Sequence, residues 1–177
     1  AKVAEEHDTN GDGKADEVTR FAKGEITRQE QDANFDGRFE AVLVYENGRK
    51  ARQETDGNGD GKPDAILVYD ASGTPSREEA DRSGDGSIDF RRELANGQPV
   101  RDEADTDGDG RFDLVTRYEA GQPVHSEQDA NGDGKPELVV TYQAGKKIGQ
   151  EEDRNGDGAP DVVTRFGPDE KPLRIES

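Results

Sequence analysis

Residues 8–31, DTNGDGKADEVTRFAKGEITRQEQ, hold one complete period of this chain. An acidic loop (8–16) runs into a short β-branched stretch that ends in an aromatic, EVTRF (17–21). A glycine turn at Gly24 follows, and then a polar stretch that leads into the next acidic loop. The loop recurs as DANFDGRFE (32–40), DGNGDGKPD (56–64), DRSGDGSID (81–89), DTDGDGRFD (105–113), DANGDGKPE (129–137) and DRNGDGAPD (153–161). The spacing is 24 residues throughout, except for 25 between Asp56 and Asp81, where the extra residue falls at Asp70-Ala71-Ser72-Gly73. Surface turns absorb such insertions, so the exception supports a structural period.

The stretches after the loops, AVLVY (41–45), AILVY (65–69), FRREL (90–94), LVTRY (114–118), LVVTY (138–142) and VVTRF (162–166), match EVTRF in composition and read as strands. A glycine turn follows each, at Gly24, Gly48, Gly73, Gly97, Gly121, Gly145 and Gly167. Asn47-Gly48 and Asn96-Gly97 suit a type I′ hairpin, which requires positive φ at both central residues. Pro75, Pro99, Pro123 and Pro172 stand near the starts of the return strands, where a missing amide is tolerated. The expected fold is all-β: a single repeat domain over residues 1–177, with about 15 short antiparallel strands in a meander. Acidic loops line one edge and glycine turns the other, in a ribbon or solenoid-like rod; a closed seven-unit ring or barrel is the alternative.

Composition argues that such a chain needs help to fold. Leu, Ile, Val and Phe make up 29 of 177 residues, and the formal charge is −18. So little apolar material with so much charge is the signature of disorder unless something outside the chain stabilises it. There is no cysteine, so disulfides do not supply it. The absence of a membrane-length apolar run or signal peptide suits a mature, processed product and gives no expectation of membrane insertion. The acidity disfavours nucleic acid as a partner and favours cations.

The loops carry the donors for them. Position one is Asp8, Asp32, Asp56, Asp81, Asp105, Asp129 and Asp153; position five is Asp12, Asp36, Asp60, Asp85, Asp109, Asp133 and Asp157. Position three is Asn10, Asn34, Asn58, Ser83, Asp107, Asn131 and Asn155. Position six is glycine, and position seven varies (Lys14, Arg38, Lys62, Ser87, Arg111, Lys135, Ala159), as expected of a residue that offers only its backbone carbonyl. Position nine is acidic throughout: Asp16, Glu40, Asp64, Asp89, Asp113, Glu137 and Asp161. Hard oxygen donors at this spacing suit Ca²⁺, about seven ions in all, better than Mg²⁺, zinc or copper. Position twelve, a bidentate Glu in an EF-hand, is here Thr19, Leu43, Leu67, Arg92, Thr116, Val140 or Thr164, so the loop must close on its position-nine acid. Asp81's site is expected to be the weakest and Asp105's, with Asp107 adding charge, the tightest.

On these residues the chain resembles the DxDxDGxxD calcium loops of integrin FG-GAP and VCBS repeats, and more loosely those of thrombospondin type-3 repeats. That resemblance implies extracellular calcium binding. The period, with segments such as YENGR (45–49), also resembles MORN-type repeats, which form a single-layer antiparallel sheet.

A glutamate precedes each loop by two residues: Glu6, Glu30, Glu54, Glu79, Glu103, Glu127 and Glu151. It is either a further calcium ligand or a cross-strand partner for arginines such as Arg28, Arg52, Arg77 and Arg101. The aromatic column Phe21, Tyr45, Tyr69, Tyr118, Tyr142 and Phe166 reads as packing across the sheet, with sugar stacking the alternative. The apolar residues at position eight are expected to dock on the neighbouring loop. His7 and His125 stand apart without a partner pattern, and no nucleophile–base set appears, so no enzyme is expected. The expected role is a calcium-stabilised structural or adhesive module at the cell surface, outside the cell or in the periplasm. The alternatives are a glycan- or protein-binding module and a subunit of a head-to-tail filament.

Overall fold

The structure, a computed structural model, describes residues 2–176. It is all-β, with fifteen strands and no helix among the described residues. The chain divides into two compact units, residues 1–88 and 89–177. The first holds β1 (Ala4–His7), β2 (Glu17–Ala22), β3 (Glu25–Gln31), β4 (Ala41–Glu46), β5 (Arg49–Thr55), β6 (Ala65–Tyr69) and β7 (Pro75–Ala80). The second holds β8 (Phe90–Ala95), β9 (Gln98–Ala104), β10 (Leu114–Glu119), β11 (Gln122–Gln128), β12 (Leu138–Gln143), β13 (Lys146–Glu152), β14 (Val162–Phe166) and β15 (Pro172–Glu176). Within each unit every strand pairs antiparallel with its neighbour in sequence, as the meander reading expects. The strand order begins at β1, next to β2, and ends at β15, next to β14; the alternative of a closed ring or barrel is therefore not what forms.

The glycine turns behave as their sequences require. Asn47-Gly48 and Asn96-Gly97 have positive φ at both residues, which gives the type I′ geometry that matches strand twist. Lys23, Ala120 and Ala144 adopt the same left-handed conformation before Gly24, Gly121 and Gly145, at a steric cost that asparagine largely avoids. Two turns differ. The insertion makes a longer turn at 70–74, in which the Asp70 carboxylate accepts the Ser72 and Thr74 amides at 2.8 and 3.0 Å. At the last turn Gly167 is not the left-handed residue; Glu170 is, in a loop tied by Gly167 N to the Lys171 carbonyl at 2.9 Å.

A feature absent from the sequence reading repeats in every hairpin. The register shifts just before the aromatic column, at Arg20/Phe21, Val44/Tyr45, Val68/Tyr69 and onward to Arg165/Phe166. One return-strand residue, such as Thr27 or Ala51, is thereby left without a partner, which is a β-bulge. The prolines sit at it. Pro75, Pro99, Pro123 and Pro172 lie opposite Tyr69, Leu94, Tyr118 and Phe166, so the missing amide falls where the ladder is already interrupted.

The two faces of the sheet differ. On one, Val18, Val42 and Ile66 are buried opposite Glu30, Glu54 and Glu79. On the other, Leu43 and Leu67 stand opposite Gln29 and Gln53, whose side-chain oxygens accept the Tyr45 and Tyr69 hydroxyls. Val140 and Ser126 pair on the corresponding face of the second unit, where both are buried.

Replacing Ala144 by Asn is expected to stabilise the protein by about 0.5–1 kcal/mol, because asparagine tolerates left-handed φ. The check is urea denaturation at fixed calcium, with Gln143→Asn as the control for composition.

Candidate metal centres

Each loop is organised around its first aspartate. In loop 8–16 the Asp8 carboxylate accepts the Gly11 amide at 2.6 Å and the Gly13 amide at 2.8 Å. The pair recurs at Asp56 (Gly59 and Gly61, both 2.8 Å), Asp105 (Gly108 and Gly110), Asp129 (Gly132 and Gly134) and Asp153 (Gly156 and Gly158). Asn10 Oδ1 accepts the Asp12 amide and Asp12 Oδ1 accepts the Lys14 amide, so each polar side chain turns the backbone about itself. These bonds require a left-handed residue at position four as well as at position six. Glycine supplies it at Gly11, Gly59, Gly84, Gly108, Gly132 and Gly156; at Phe35 a bulky residue takes φ 65° instead, with its ring half exposed. The importance of position four was not drawn from the sequence, although the glycine stands there in every copy but one.

Position nine closes the loop. Asp16 Oδ2 accepts the Thr9 and Asn10 amides at 2.7 and 3.1 Å, while the Asp16 amide donates to the His7 carbonyl at 2.8 Å. Asp64, Asp113 and Asp161 make the same closing bonds to the residue before their loops. Successive loops are also linked through the backbone. The amides of Asp32, Asp56, Asp81, Asp105, Asp129 and Asp153 donate to the position-nine carbonyls of the loops before them, at 2.7–3.0 Å.

Among the described residues, three donor carboxylates converge within 4.8 Å in Asp8/Asp12/Asp16, Asp32/Asp36/Glu40, Asp105/Asp107/Asp109 and Asp129/Asp133/Glu137. The first, second and fourth use positions one, five and nine, as the spacing predicts. In the third, Asp107 replaces the position-nine acid: Asp113 turns to the Thr106 hydroxyl and amide, both at 2.6 Å, and to Gln128 at 3.1 Å. The additional charge there is countered within the loop, since Arg111 holds Asp109 at 2.6 and 2.9 Å. In the loops beginning at Asp56 and Asp153, the position-nine carboxylates of Asp64 and Asp161 accept the amide groups of Asn58 and Asn155, at 2.7 and 3.0 Å. The loop beginning at Asp81 runs across the division between the units. Its first part repeats the pattern, with Gly84 and Gly86 on Asp81, Ser83 Oγ on Asp81 at 3.1 Å, and the Ser87 amide on Asp85. Asp89 lies in the second unit, where its carbonyl receives the Asp105 amide.

One oxygen tests whether a cation fits. Glu40 Oε2 accepts the Ala33 amide at 2.7 Å, but Oε1 is buried and has no hydrogen-bond partner. A buried carboxylate oxygen left without a donor is costly, and an ion is one of the standard ways to satisfy it. It belongs to the cluster that also holds Asp32 and Asp36, so the donor set fits a hard cation.

Five of the glutamates before the loops pair with arginine or histidine. Glu30 pairs with Arg28 at 2.8 Å and Arg20 at 3.0 Å, Glu54 with Arg52, Glu79 with Arg77, and Glu103 with Arg101 and Arg91. Glu127 pairs with His125 at 2.8 Å. These carboxylates answer to arginine or histidine two residues away on the same strand face; a cross-strand arginine is an addition at Glu30 (Arg20), Glu103 (Arg91) and Glu127 (Arg117). Position eight is only half-buried at Phe39, Pro63 and Phe112, where the Arg91 guanidinium covers the ring at 4.8 Å, and Pro160 is exposed. The aromatic column is covered too, by Lys2 over Phe21, Lys50 over Tyr69 and Lys147 over Phe166 at 4.3–5.3 Å.

No family model matches the chain, and no curated protein matches it. Among solved structures, a Staphylococcus aureus TarM variant in complex with Fondaparinux, alpha-GlcNAc-glycerol and UDP is similar at 17% identity over 56% of this chain, with a TM-score of 0.39. Accessory secretory protein 1, 2 and 3 of Streptococcus pneumoniae is similar at 17% identity over 64%, with a TM-score of 0.26. The chain spans about a fifth of each of those chains (21% and 19%).

Five loop carboxylates, those of Asp16, Asp81, Asp109, Asp113 and Asp153, have pKa values lowered by their surroundings. The Thr9 hydroxyl lowers the pKa of Asp16, and the Arg111 guanidinium lowers that of Asp109. Burial works to raise Asp113 and Asp153, but the Thr106 groups on one and the Gly158 and Gly156 amides on the other outweigh it and leave both lowered. A carboxylate with a lowered folded pKa stabilises the fold above its unfolded value, about 3.9 for Asp, and loses that contribution as pH falls through the folded one. Calcium-free protein is therefore expected to hold its loops down to about pH 4 and lose them below it. Amide chemical shifts of Thr9, Thr106 and Gly158, which donate to Asp16, Asp113 and Asp153, provide the check across an acid titration.

Proposed function

We propose that this chain is a calcium-binding repeat protein whose loops are stabilised by the ion, and that it serves as a structural or adhesive module outside the cytoplasm. The observation that carries the reading is the convergence of three carboxylates in several loops, one of them with a buried oxygen, Glu40 Oε1, that lacks a donor. In loops 8–16, 32–40 and 129–137 the side chains at positions one, five and nine hold the ion, together with the position-seven carbonyl; Asp105, Asp107 and Asp109 do so in the fourth. The bound ion supplies positive charge that cancels carboxylate repulsion and ties the two ends of the loop together.

Magnitudes favour a calcium-rich compartment. With a Kd of ~10⁻⁴ M, ~1 mM Ca²⁺ contributes ~1.4 kcal/mol per site. The other three loops carry the same acids at positions one, five and nine, and with one ion in each of the seven repeats fourteen positive charges take the formal −18 to −4. At cytosolic calcium the same sites stand nearly empty. The resemblance of the loops to extracellular calcium repeats supports the same placement. Stacking of glycans on the aromatic column is not favoured, because lysines cover the rings named above.

The test is thermal unfolding by circular dichroism with EDTA and after calcium add-back, alongside calorimetric stoichiometry. The expected result is a melting temperature that falls on chelation and recovers with about seven equivalents. Glu40→Gln is expected to remove one site. Melting that is indifferent to both EDTA and calcium overturns the reading.

A further inference from the structure

The position-seven residues contribute only a backbone carbonyl to their own loops, yet five are Lys or Arg, and their charged heads lie against the loop that follows. Arg38 donates to the Gly59 carbonyl. Lys135 Nζ donates to the carbonyls of Gly156 at 3.3 Å and Asp157 at 3.1 Å. A methyl group placed on Gly37 would meet Lys14 Nζ at 3.4 Å, one on Gly132 would meet Arg111 Nη1 at 2.8 Å, and one on Gly86 would run into Lys62 Nζ. In every case the glycine or carbonyl touched is at position four, five or six of the next loop, the stretch whose amides hold that loop's first aspartate. Arg111 stands in a cleft of about 200 Å³ bounded by Asp107 and Asp109 of its own loop and Asp129 of the next. The charge of Asp129 contributes to the rise of its pKa, after the larger effect of Asp109.

We propose that each of these bases is a tethered counter-ion for the following loop: it steadies that loop when calcium is absent and weakens calcium binding there when the ion arrives. The inference rests on the calcium reading above. Its physical content is a like-charge term, a fixed +1 within several ångströms of an incoming +2. Across a solvent-exposed gap of that size the repulsion corresponds to about threefold to tenfold in affinity at low salt, and it is screened at high salt. The consequence is directional. Except at Arg111, whose guanidinium also holds Asp109 of its own loop, a position-seven base leaves its own donor set intact and tunes the next one, so each loop's affinity is written partly in the repeat before it.

Lys135 gives the cleanest test, because it is exposed and its carbonyl survives substitution. The measurement is a calcium titration followed by the ¹⁵N–¹H resonances of Gly158, in the loop Lys135 touches, and Gly134, in its own loop. In Lys135→Ala the Gly158 midpoint is expected to fall about threefold to tenfold at low ionic strength while the Gly134 midpoint stays in place. The difference is expected to shrink in about 0.5 M KCl and to be absent in Lys135→Arg. A Gly158 midpoint that is unchanged or raised in Lys135→Ala, with calcium still binding, overturns this inference alone. If millimolar calcium shifts neither glycine in the unsubstituted protein, the calcium reading falls and this inference with it.

Discussion

The structure depends on one interaction more than any other: a carboxylate at the start of each loop that accepts two amides three and five residues ahead. It does the work that a hydrophobic core does elsewhere. Among the described residues the buried hydrophobic side chains are Val18, Val42, Ile66, Phe90 and Val140, while Asp16, Asp32, Asp56, Asp81, Asp113 and Asp153 are buried just as deeply. A buried carboxylate is tolerable when donors surround it, and the glycines at positions four and six provide them by adopting left-handed φ. Remove the aspartate and those amides lose their acceptor; replace a glycine and the left-handed turn that aims them is strained, as at Phe35, whose amide still reaches Asp32 at 2.7 Å.

The loops matter to the sheet because they continue its ladder. The position-nine amide bonds back across the mouth of its own loop, and the position-nine carbonyl takes the first amide of the next. A strand pair in each unit is thus clamped at one end by a loop and at the other by a tight turn. The recurrent bulge lets a chain with proline in its return strands still pair on both sides. Between the clamps the side chains are arranged for charge compensation, with Arg28 and Glu30, Arg52 and Glu54, and Arg77 and Glu79 adjacent on one face. The arginine of each pair stays 40–45% exposed, so solvent screens its charge and the pairs contribute little individually, which leaves the loops as the dominant local constraint.

Much of this was legible in the sequence, and what was not has a physical reason. Periodicity alone determines the meander, because a unit of strand, two-residue turn and strand can only return beside itself; Asn47-Gly48 even specifies the turn type. The grouping of Asp8 with Asp12 and Asp16, and of Asp129 with Asp133 and Glu137, follows from spacing. The bulge does not, because it depends on which of two registers the aromatic and proline adopt across the sheet, a three-dimensional choice with no local marker. The partner of Glu30 was left between arginine and metal because two-residue spacing puts Arg28 on the same strand face but does not say which way the carboxylate turns. The diversion of Asp113 toward Thr106 and Gln128 was also hidden, since Gln128 comes from a neighbouring strand.

The arrangement also explains how a loop can be formed before an ion enters and still gain from one. The amide bonds specify where each carboxylate sits, but they do not remove the repulsion among three carboxylates whose oxygens lie within 4.8 Å. Hydrogen bonding that holds the acids charged and close makes the site at once ordered and electrostatically unsatisfied. Glu40 Oε1, buried and without a donor, marks the place where that imbalance is sharpest. A cation entering such a loop has little backbone to reorganise, so most of its electrostatic gain is available as stability. The lysines and arginines leaning in from the preceding loops offset part of the same repulsion from outside. On the calcium reading proposed above, loop order and ion affinity are therefore separate quantities, the first governed by glycine and aspartate at fixed positions, the second by how much negative charge the neighbours leave uncompensated.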